Sequence, residues 1–374
     1  MYLTVSPPLS CKTLLYRPAV ATSWAEGLGQ VLCCDSGRTA LGIALRLLHL
    51  PPNSNIVLPG LNCEAVIDTI TGANVQIRYY DVPETLDPAI PAIEAAVDNR
   101  TACVALVHYF GFAADPTPLR RFCDRRGLPL IEDCAHALFS GGEAGHCGTA
   151  GDFAVFSLRK TLPIPNGGAI AVNRAGYRPA LREVLLKKPS SVETLARTAF
   201  LLMKYHFMQH GRALAAAKRL CPVRANSGGP ENQAPAWKAL SSVSERILAA
   251  SEAHAVRAAR QTRYRYWADV LRGQRGVRIL RPHLAPATCP YSFPVLVDRR
   301  EELLEELARS GVRLEATFSG APFLKPGCVP TGQGLPSAAR LARELVSLPV
   351  HQALPMARLA EIAEKFVSAL ERRC

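Results

Sequence analysis

Leu128–Asn173 reads LPLIEDCAHALFSGGEAGHCGTAGDFAVFSLRKTLPIPNGGAIAVN. Three short apolar runs punctuate it: Pro129–Glu132, Ala154–Ser157 and Ala169–Asn173. Each has strand length and is apolar on consecutive residues, the pattern of strands buried on both faces. Polar residues gather just past these runs: Asp133 and His136 after the first, Ser157 and Lys160 within and after the second. A proline-containing loop, Thr161–Asn166, then runs into Gly167-Gly168, which suits a close approach of backbone.

Working back toward the start, strand and helix patterns alternate. Gly37–Leu50 has leucine and alanine at helical spacing, opening after Asp35-Ser36. Ser54–Pro59 predicts a strand, Cys63–Thr71 a helix ending at Gly72, and Val75–Tyr80 the next strand. Ile90–Val97 is helical, Ala102–Val107 is a continuous apolar strand, and Pro118–Arg126 is helical up to Gly127. This alternation predicts βαβ units, an α/β fold with a mostly parallel sheet covered on both faces. Ligands of such sheets sit beyond the carboxyl ends of the strands. Ser36, Gly37, Arg38, Thr39, His108, Asp133, His136, Ser157 and Lys160 should therefore converge on one rim.

Beyond Asn173 the pattern changes. Residues 175–240 read as a divergent helical segment around Leu195–Met203 and Ala213–Leu220, with a Gly228-Gly229-Pro230 loop. Leu248–Leu271 reads as one long arginine-rich helix. A smaller α+β unit follows, with strands at Tyr291–Val297 and Val312–Glu315 and helices at Arg300–Ser310, Ala338–Val346 and Met356–Arg372. The expected division is 1–250 for the large unit and 251–374 for the long helix and small unit, since 374 residues exceed one compact core.

The formal charge of +13 raises nucleic acid as a partner. The arginines, however, spread through helices (Arg120, Arg121, Arg125 and Arg126; Arg257, Arg260, Arg263 and Arg265), with no zinc-finger spacing, RNP-like strand or helix-turn-helix. Solvated helix faces, or a field that attracts phosphorylated substrates, account for the charge. None of the 12 cysteines forms a C-x-x-C pair, and Cys103, Cys123 and Cys134 lie in apolar runs. Buried thiols in a reducing compartment are expected. No metal site is read. The MYLTVSPPL start lacks the basic and apolar regions of a signal peptide, and Lys204 cuts the most apolar helical stretch short. A cytoplasmic protein is expected. Leu195–Met203 with Lys204, His206, His210 and Arg212 reads as an interface helix rather than a membrane-surface one.

Each rim residue has a plain reading beside a chemical one. Gly37 at a helix start offers free N–H groups to a phosphate, with Arg38 or the Thr39 hydroxyl beside it; Ser-Gly is equally an ordinary cap. Asp133 ends a buried strand, where a carboxylate can keep a pyridinium nitrogen protonated as pyridoxal 5′-phosphate (PLP) requires; it is equally an N-cap. His136 can hydrogen-bond a phenolate oxygen or simply pack. Lys160 after an apolar strand is a Schiff-base candidate or a surface lysine at a loop start. The order of these features along the chain favours the chemical reading.

In that order the sequence resembles the DegT/DnrJ/EryC1/StrS family, aminotransferases of PLP fold type I. DSGRTALGIAL resembles its phosphate turn, LVHYFGFAADPTPLRRF its Val-His-x-x-Gly stretch, LIEDCAHALFS its Glu-Asp-x-Ala-Gln/His-Ala motif, GTAGDFAVFSLRK with NGGAIAV its lysine segment, and ELVSLPVHQAL its Ser-Leu-Pro-x-His segment. The resemblance implies an aspartate-aminotransferase-like large domain and a small C-terminal domain. It implies Lys160 as the Schiff-base lysine, Asp133 at the pyridine nitrogen, His136 at the ring oxygen, and Ser157, Gly37, Arg38 and Thr39 at the phosphate. His108, Arg159 and His351 become substrate candidates. It also implies a keto-sugar substrate, nucleotide-linked, an amino-acid donor such as glutamate, and a homodimer with shared active sites, serving polysaccharide or antibiotic sugar biosynthesis.

Three departures stand out. Ser157 and Lys160 are three residues apart where the family has about five, although Lys160 is in register counted back from Gly167-Gly168. The stacking aromatic falls at Cys63. The Gly-x-Asn-x-Arg segment is missing, with Asn232 a guess at its asparagine. Other PLP chemistry, such as sugar dehydration, and a non-catalytic regulatory member are the alternatives; dehydratases resembling this family carry histidine in place of the lysine.

Overall fold

The computed structural model describes residues 2–15, 24–142, 145–210, 237–314, 318 and 334–373. Its centre is a seven-stranded sheet of β1 (Gln30–Cys34), β2 (Asn55–Pro59), β3 (Gln76–Tyr80), β4 (Thr101–Val107), β5 (Leu130–Asp133), β6 (Phe153–Phe156) and β7 (Gly168–Val172). The order across the sheet is β1-β7-β6-β5-β4-β2-β3, and only β7 runs antiparallel to its neighbours. The α/β fold with a mostly parallel sheet is the one that the alternation predicts. All residues of β2, β6 and β7 are buried, as their unbroken apolar runs require.

Helices α1 (Gly37–Leu47), α2 (Glu64–Thr71), α3 (Ile90–Ala96) and α4 (Thr117–Arg126) connect the strands. In α1 the buried positions Ala40, Ile43, Ala44 and Leu47 recur at one helical face, and each buried leucine or isoleucine contributes roughly 1.5–3 kcal/mol. The α4 helix stops at Gly127, whose φ of 65° is the left-handed C-terminal stop.

A turn of helix, α5 (Leu158–Thr161), joins β6 to the loop before β7. Farther along come α6 (Ser191–His210), α7 (Ser242–Ala249) and α8 (Ala253–Val270). A three-stranded antiparallel sheet follows, ordered β8 (Arg278–Ile279), β9 (Ser292–Leu296), β10 (Leu345–Pro349), with α9 (Arg300–Arg309), α10 (Pro336–Glu344) and α11 (Met356–Glu371) beside it. One buried apolar cluster runs from Ile56 and Leu106 of the large sheet to Phe293 and Leu348 of the small one, through Tyr264 and Trp267 of α8.

Two helix readings are corrected. The single helix expected over Leu248–Leu271 is two, α7 and α8, with Glu252 extended between them. Ser251 donates its hydroxyl to the Ile247 carbonyl (2.7 Å), giving the end of α7 an alternative partner to a continued helix. The helix expected over Ala338–Val346 ends at Glu344, and LVSLP becomes the edge strand β10, fully buried and paired with the central strand β9. Burial between β9 and the core outweighs the helical spacing there. Of the strand expected at Val312–Glu315, Arg313–Leu314 pairs in parallel with Tyr2–Leu3. Ala213–Leu220, the Gly228 loop, Asn232 and Arg212 lie outside the described residues. No described helix is long and apolar enough to cross a membrane.

Candidate active site

The carboxyl end of the large sheet is built around glycine contacts. Gly168 opens β7 opposite Cys34, and a Cβ on it would stand 2.1 Å from the Ser36 carbonyl carbon and 2.5 Å from the Gly37 nitrogen. Only glycine lets the β1–α1 turn lie on β7 so closely. A Cβ on Gly37 would meet Ser157 Cβ at 3.4 Å, so the start of α1 faces the end of β6.

Ser36 caps α1, accepting the Thr39 N–H (3.2 Å). That leaves the N–H groups of Gly37 and Arg38 as first-turn donors without a helix partner. Ser157 is buried, and its hydroxyl caps no N–H of α5. These donors, at the positive end of an eleven-residue helix, suit a phosphate. Thr39 is a correction: its hydroxyl donates to Asp35 (2.6 Å) and its N–H to Ser36, so neither donor is free for an anion.

The second half of the site is carried by β5 and α5. Asp133 ends β5, and its Oδ1 accepts the Ala135 N–H (2.9 Å). Burial raises its carboxyl above the ordinary range, against the opposing charge of Lys160. His136 is buried, and its Nδ1 accepts the Phe110 N–H (3.2 Å). Accepting at Nδ1 makes the ring an Nε2–H donor. Burial and then the Lys160 charge hold His136 well below the usual histidine range, so it is neutral at pH 7. One face of its ring stacks on Tyr291 at 4.3 Å and 16°. Lys160 is half-buried on α5, with its Nζ 5.8 Å from the Tyr291 ring centre. Asp133, His136, Lys160 and Tyr291 thus meet in one place, and Ser157 links them to the α1 donors through the Lys160 N–H on its carbonyl (3.2 Å). A phosphorylated pyridine aldehyde fits this set: phosphate donors at one end, a carboxylate, a neutral imidazole donor and an amine at the other.

The remaining candidates divide. Arg159 is exposed, with Arg197, Arg38 and Asp35 as charged neighbours. Cys63 sits at the start of α2 and is half-buried. His108 is corrected from substrate contact to support. Its Nδ1 accepts the Ala114 N–H (3.1 Å) and its Nε2 donates to Glu132 (2.9 Å), so no ring nitrogen is left. Burial alone would raise Glu132, but His108 and the N–H groups of Gly151 and Gly148 hold it below the ordinary carboxylate range. Donor atoms of His108, Glu132 and Cys134 lie within 4.8 Å of one another, yet those of the first two are already spent on these hydrogen bonds. His351 is buried, and its Nδ1 has no hydrogen-bond partner among the described residues. Burial, with the charges of Arg260 and Arg263, pushes it down to about 3. Tyr291, Phe110 and Arg260 were not among the candidates. Arg260 had a signal, because Arg260, Tyr264 and Trp267 share one helical stripe on α8.

Residues 25–186 match the model of the DegT/DnrJ/EryC1/StrS aminotransferase family. Over this segment the chain is similar to that family. The L-glutamine:scyllo-inosose aminotransferase of Streptomyces griseus is 35% identical over 167 residues, 43% of this chain and 39% of that one. The dTDP-4-dehydro-2,3,6-trideoxy-D-glucose 4-aminotransferase of Saccharopolyspora spinosa is 35% identical over 142 residues, 37% of each chain. These alignments span about two fifths of the curated relatives' length. The fold matches over far more. The aminotransferase TlmJ of Streptoalloteichus hindustanus superposes with a TM-score of 0.71 at 22% identity, over 94% of this chain and 89% of that one. The PLP form of the putative sugar aminotransferase Spr1654 of Streptococcus pneumoniae gives 0.72 at 15% identity, over 99% and 98%.

Proposed function

We propose that this protein is a PLP-dependent aminotransferase acting on a keto-sugar or keto-cyclitol, with an amino acid as donor. The observation that carries the proposal is the meeting of Lys160, Asp133 and neutral His136 beside the glycine-floored donors of α1. The names of the relatives favour L-glutamine as donor over the glutamate expected from the sequence, and scyllo-inosose or a dTDP-linked keto-sugar as the acceptor class.

Gly37, Arg38 and Ser157 would hold the phosphate, Asp133 the protonated pyridine nitrogen, and His136, through Nε2–H, the ring oxygen. Bound there, PLP supplies an electron sink for carbanion chemistry. Lys160 Nζ takes and returns the proton at the amino-bearing carbon. Arg159, exposed at the rim, would meet the anionic part of a substrate. The reading includes division near residue 250, cytoplasmic residence and a homodimer, the last supported by the exposed Leu185, Val192 and Leu195.

The test is the absorbance spectrum of the protein with added PLP, before and after borohydride, for wild type and Lys160→Ala. A visible band that borohydride fixes onto the Lys160 peptide, and that glutamine bleaches, is the expected result. A colourless wild type, or a label that persists in Lys160→Ala, overturns the proposal.

A further inference from the structure

Arg260 of α8 is completely buried, and none of its hydrogen-bond partners among the described residues is a carboxylate. Isolating a charge from water in this way is costly unless every donor is used. Here Nε donates to Gln352 Oε1 (2.9 Å), Nη1 to the carbonyls of Pro290 (3.0 Å) and Tyr291 (3.4 Å), and Nη2 to the Thr161 carbonyl (3.1 Å). Gln352 also donates to the Thr161 carbonyl (2.9 Å).

These acceptors are not scattered. Thr161 ends α5 and follows Lys160 directly. Tyr291 immediately precedes β9, and its ring stacks on His136 and lies near the Lys160 Nζ. The Tyr291 N–H in turn donates to the Phe110 carbonyl (2.7 Å), while the Phe110 N–H donates to His136. Phe110 has a φ of 55°, rare for an aromatic residue, so the segment that feeds His136 is itself held in an unfavourable conformation. A closed chain of contacts therefore runs from Lys160 through Thr161, Arg260, Tyr291 and Phe110 to His136.

We propose that Arg260 is a positioning residue: its guanidinium fastens the Lys160 turn to Tyr291, so that Lys160 and the His136 imidazole keep one relative geometry. The β9–β10 side of the molecule thereby sets the arrangement of groups that β5 and α5 supply. This inference rests on the PLP reading for its consequence, but the geometry it describes exists without cofactor.

The test uses the full-length protein and two readouts. One is the pair of ring-nitrogen shifts of His136 at neutral pH in histidine-labelled protein without PLP, assigned with His136→Gln. The other is PLP affinity by titration of the visible band. Wild type should show a bare Nδ1 and a protonated Nε2. In Arg260→Met, of similar length and uncharged, His136 should lose this single tautomer and PLP affinity should fall by about tenfold or more, with partial recovery in Arg260→Lys. Tyr291→Leu should reproduce the His136 change and Tyr291→Phe, which keeps the ring, should not. If Arg260→Met does not fold, Gln352→Met removes one link alone and should shift the same signals by a smaller amount. Unchanged His136 shifts and unchanged affinity in folded Arg260→Met, or in Gln352→Met where that variant stands in, overturn the positioning role. A wild type that never takes up PLP, with His136 still disturbed by Arg260→Met, overturns the function and leaves the positioning intact.

Discussion

Gly168→Ala set beside Gly37→Ala separates close packing of the turn from its role in binding. The added Cβ would lie 2.1 Å from the Ser36 carbonyl carbon, 2.2 Å from its oxygen and 2.5 Å from the Gly37 nitrogen. Ordinary contact needs about 3.4 Å or more, so the Ser36–Gly37 peptide must retreat by roughly 1.3 Å. All three atoms are backbone, and the strand beneath is fully buried, so no flexible side chain absorbs the shift. Overpacking of this kind costs about 1–3 kcal/mol, and the melting temperature should drop by several degrees. Because the retreating peptide carries the α1 donors, affinity for PLP should fall with it. Gly37→Ala is the counterpart. Its Cβ meets Ser157 Cβ at 3.4 Å and the Phe156 carbonyl oxygen at 3.5 Å, both ordinary contacts, and alanine is favoured over glycine in a helix by about 1 kcal/mol. Stability should hold or rise, while PLP affinity falls because the methyl enters the gap between α1 and Ser157. Scanning fluorimetry and PLP titration on both variants decide the matter. Undiminished PLP affinity in Gly37→Ala would refute the placement of the phosphate between α1 and Ser157. An unshifted melting temperature in Gly168→Ala would refute the packing argument.

Acid should destabilise the fold in two stages. His136 and His351 are held below the unfolded histidine value near 6.5, so the unfolded chain binds more protons and stability falls as pH drops below 6.5, continuing toward about 3 for His351. Urea titrations from pH 7 to 4 should show this, and His351→Leu should remove up to about 1.4 kcal/mol per pH unit of that slope. Glu132 is held low as well, so its contribution is complete above about pH 4.5 and is lost as pH falls through its lower folded value; Glu132→Gln should flatten this second stage. His108→Phe should cost about 2–3 kcal/mol in urea unfolding by leaving the Glu132 carboxylate short of a donor. Asp133→Asn should keep the fold while turnover drops by about two orders of magnitude or more, measured with glutamine and a keto-cyclitol. If a second copy covers Leu185, Val192 and Leu195, Leu195→Asp should shift sedimentation from dimer toward monomer.

What was legible in the sequence follows from local physics. Continuous apolar runs bounded by glycine and proline marked β2, β4, β5, β6 and β7, because a strand buried on both faces has no polar side to show. Polar residues past those runs marked Asp133, His136, Ser157 and Lys160, because ligands of parallel sheets collect at the strand ends. Lys160 remained legible despite its shortened spacing from Ser157, through the register to Gly167-Gly168.

Only the tertiary structure decided the rest. LVSLP has the spacing of a helix continuing from Glu344 and becomes β10 because β9 offers a buried partner. His108 shares its strand-end position with the site residues, yet its ring nitrogens turn to Glu132 and Ala114, a choice set by side-chain direction rather than by position. Thr39 likewise spends its hydroxyl on Asp35 four residues back. Tyr291 and Arg260 lie more than a hundred residues from His136 in the chain, and no periodicity links them. Their roles arise where α8 and the lead into β9 pack over the Lys160 turn, because a buried guanidinium must find acceptors wherever the fold brings carbonyls to it.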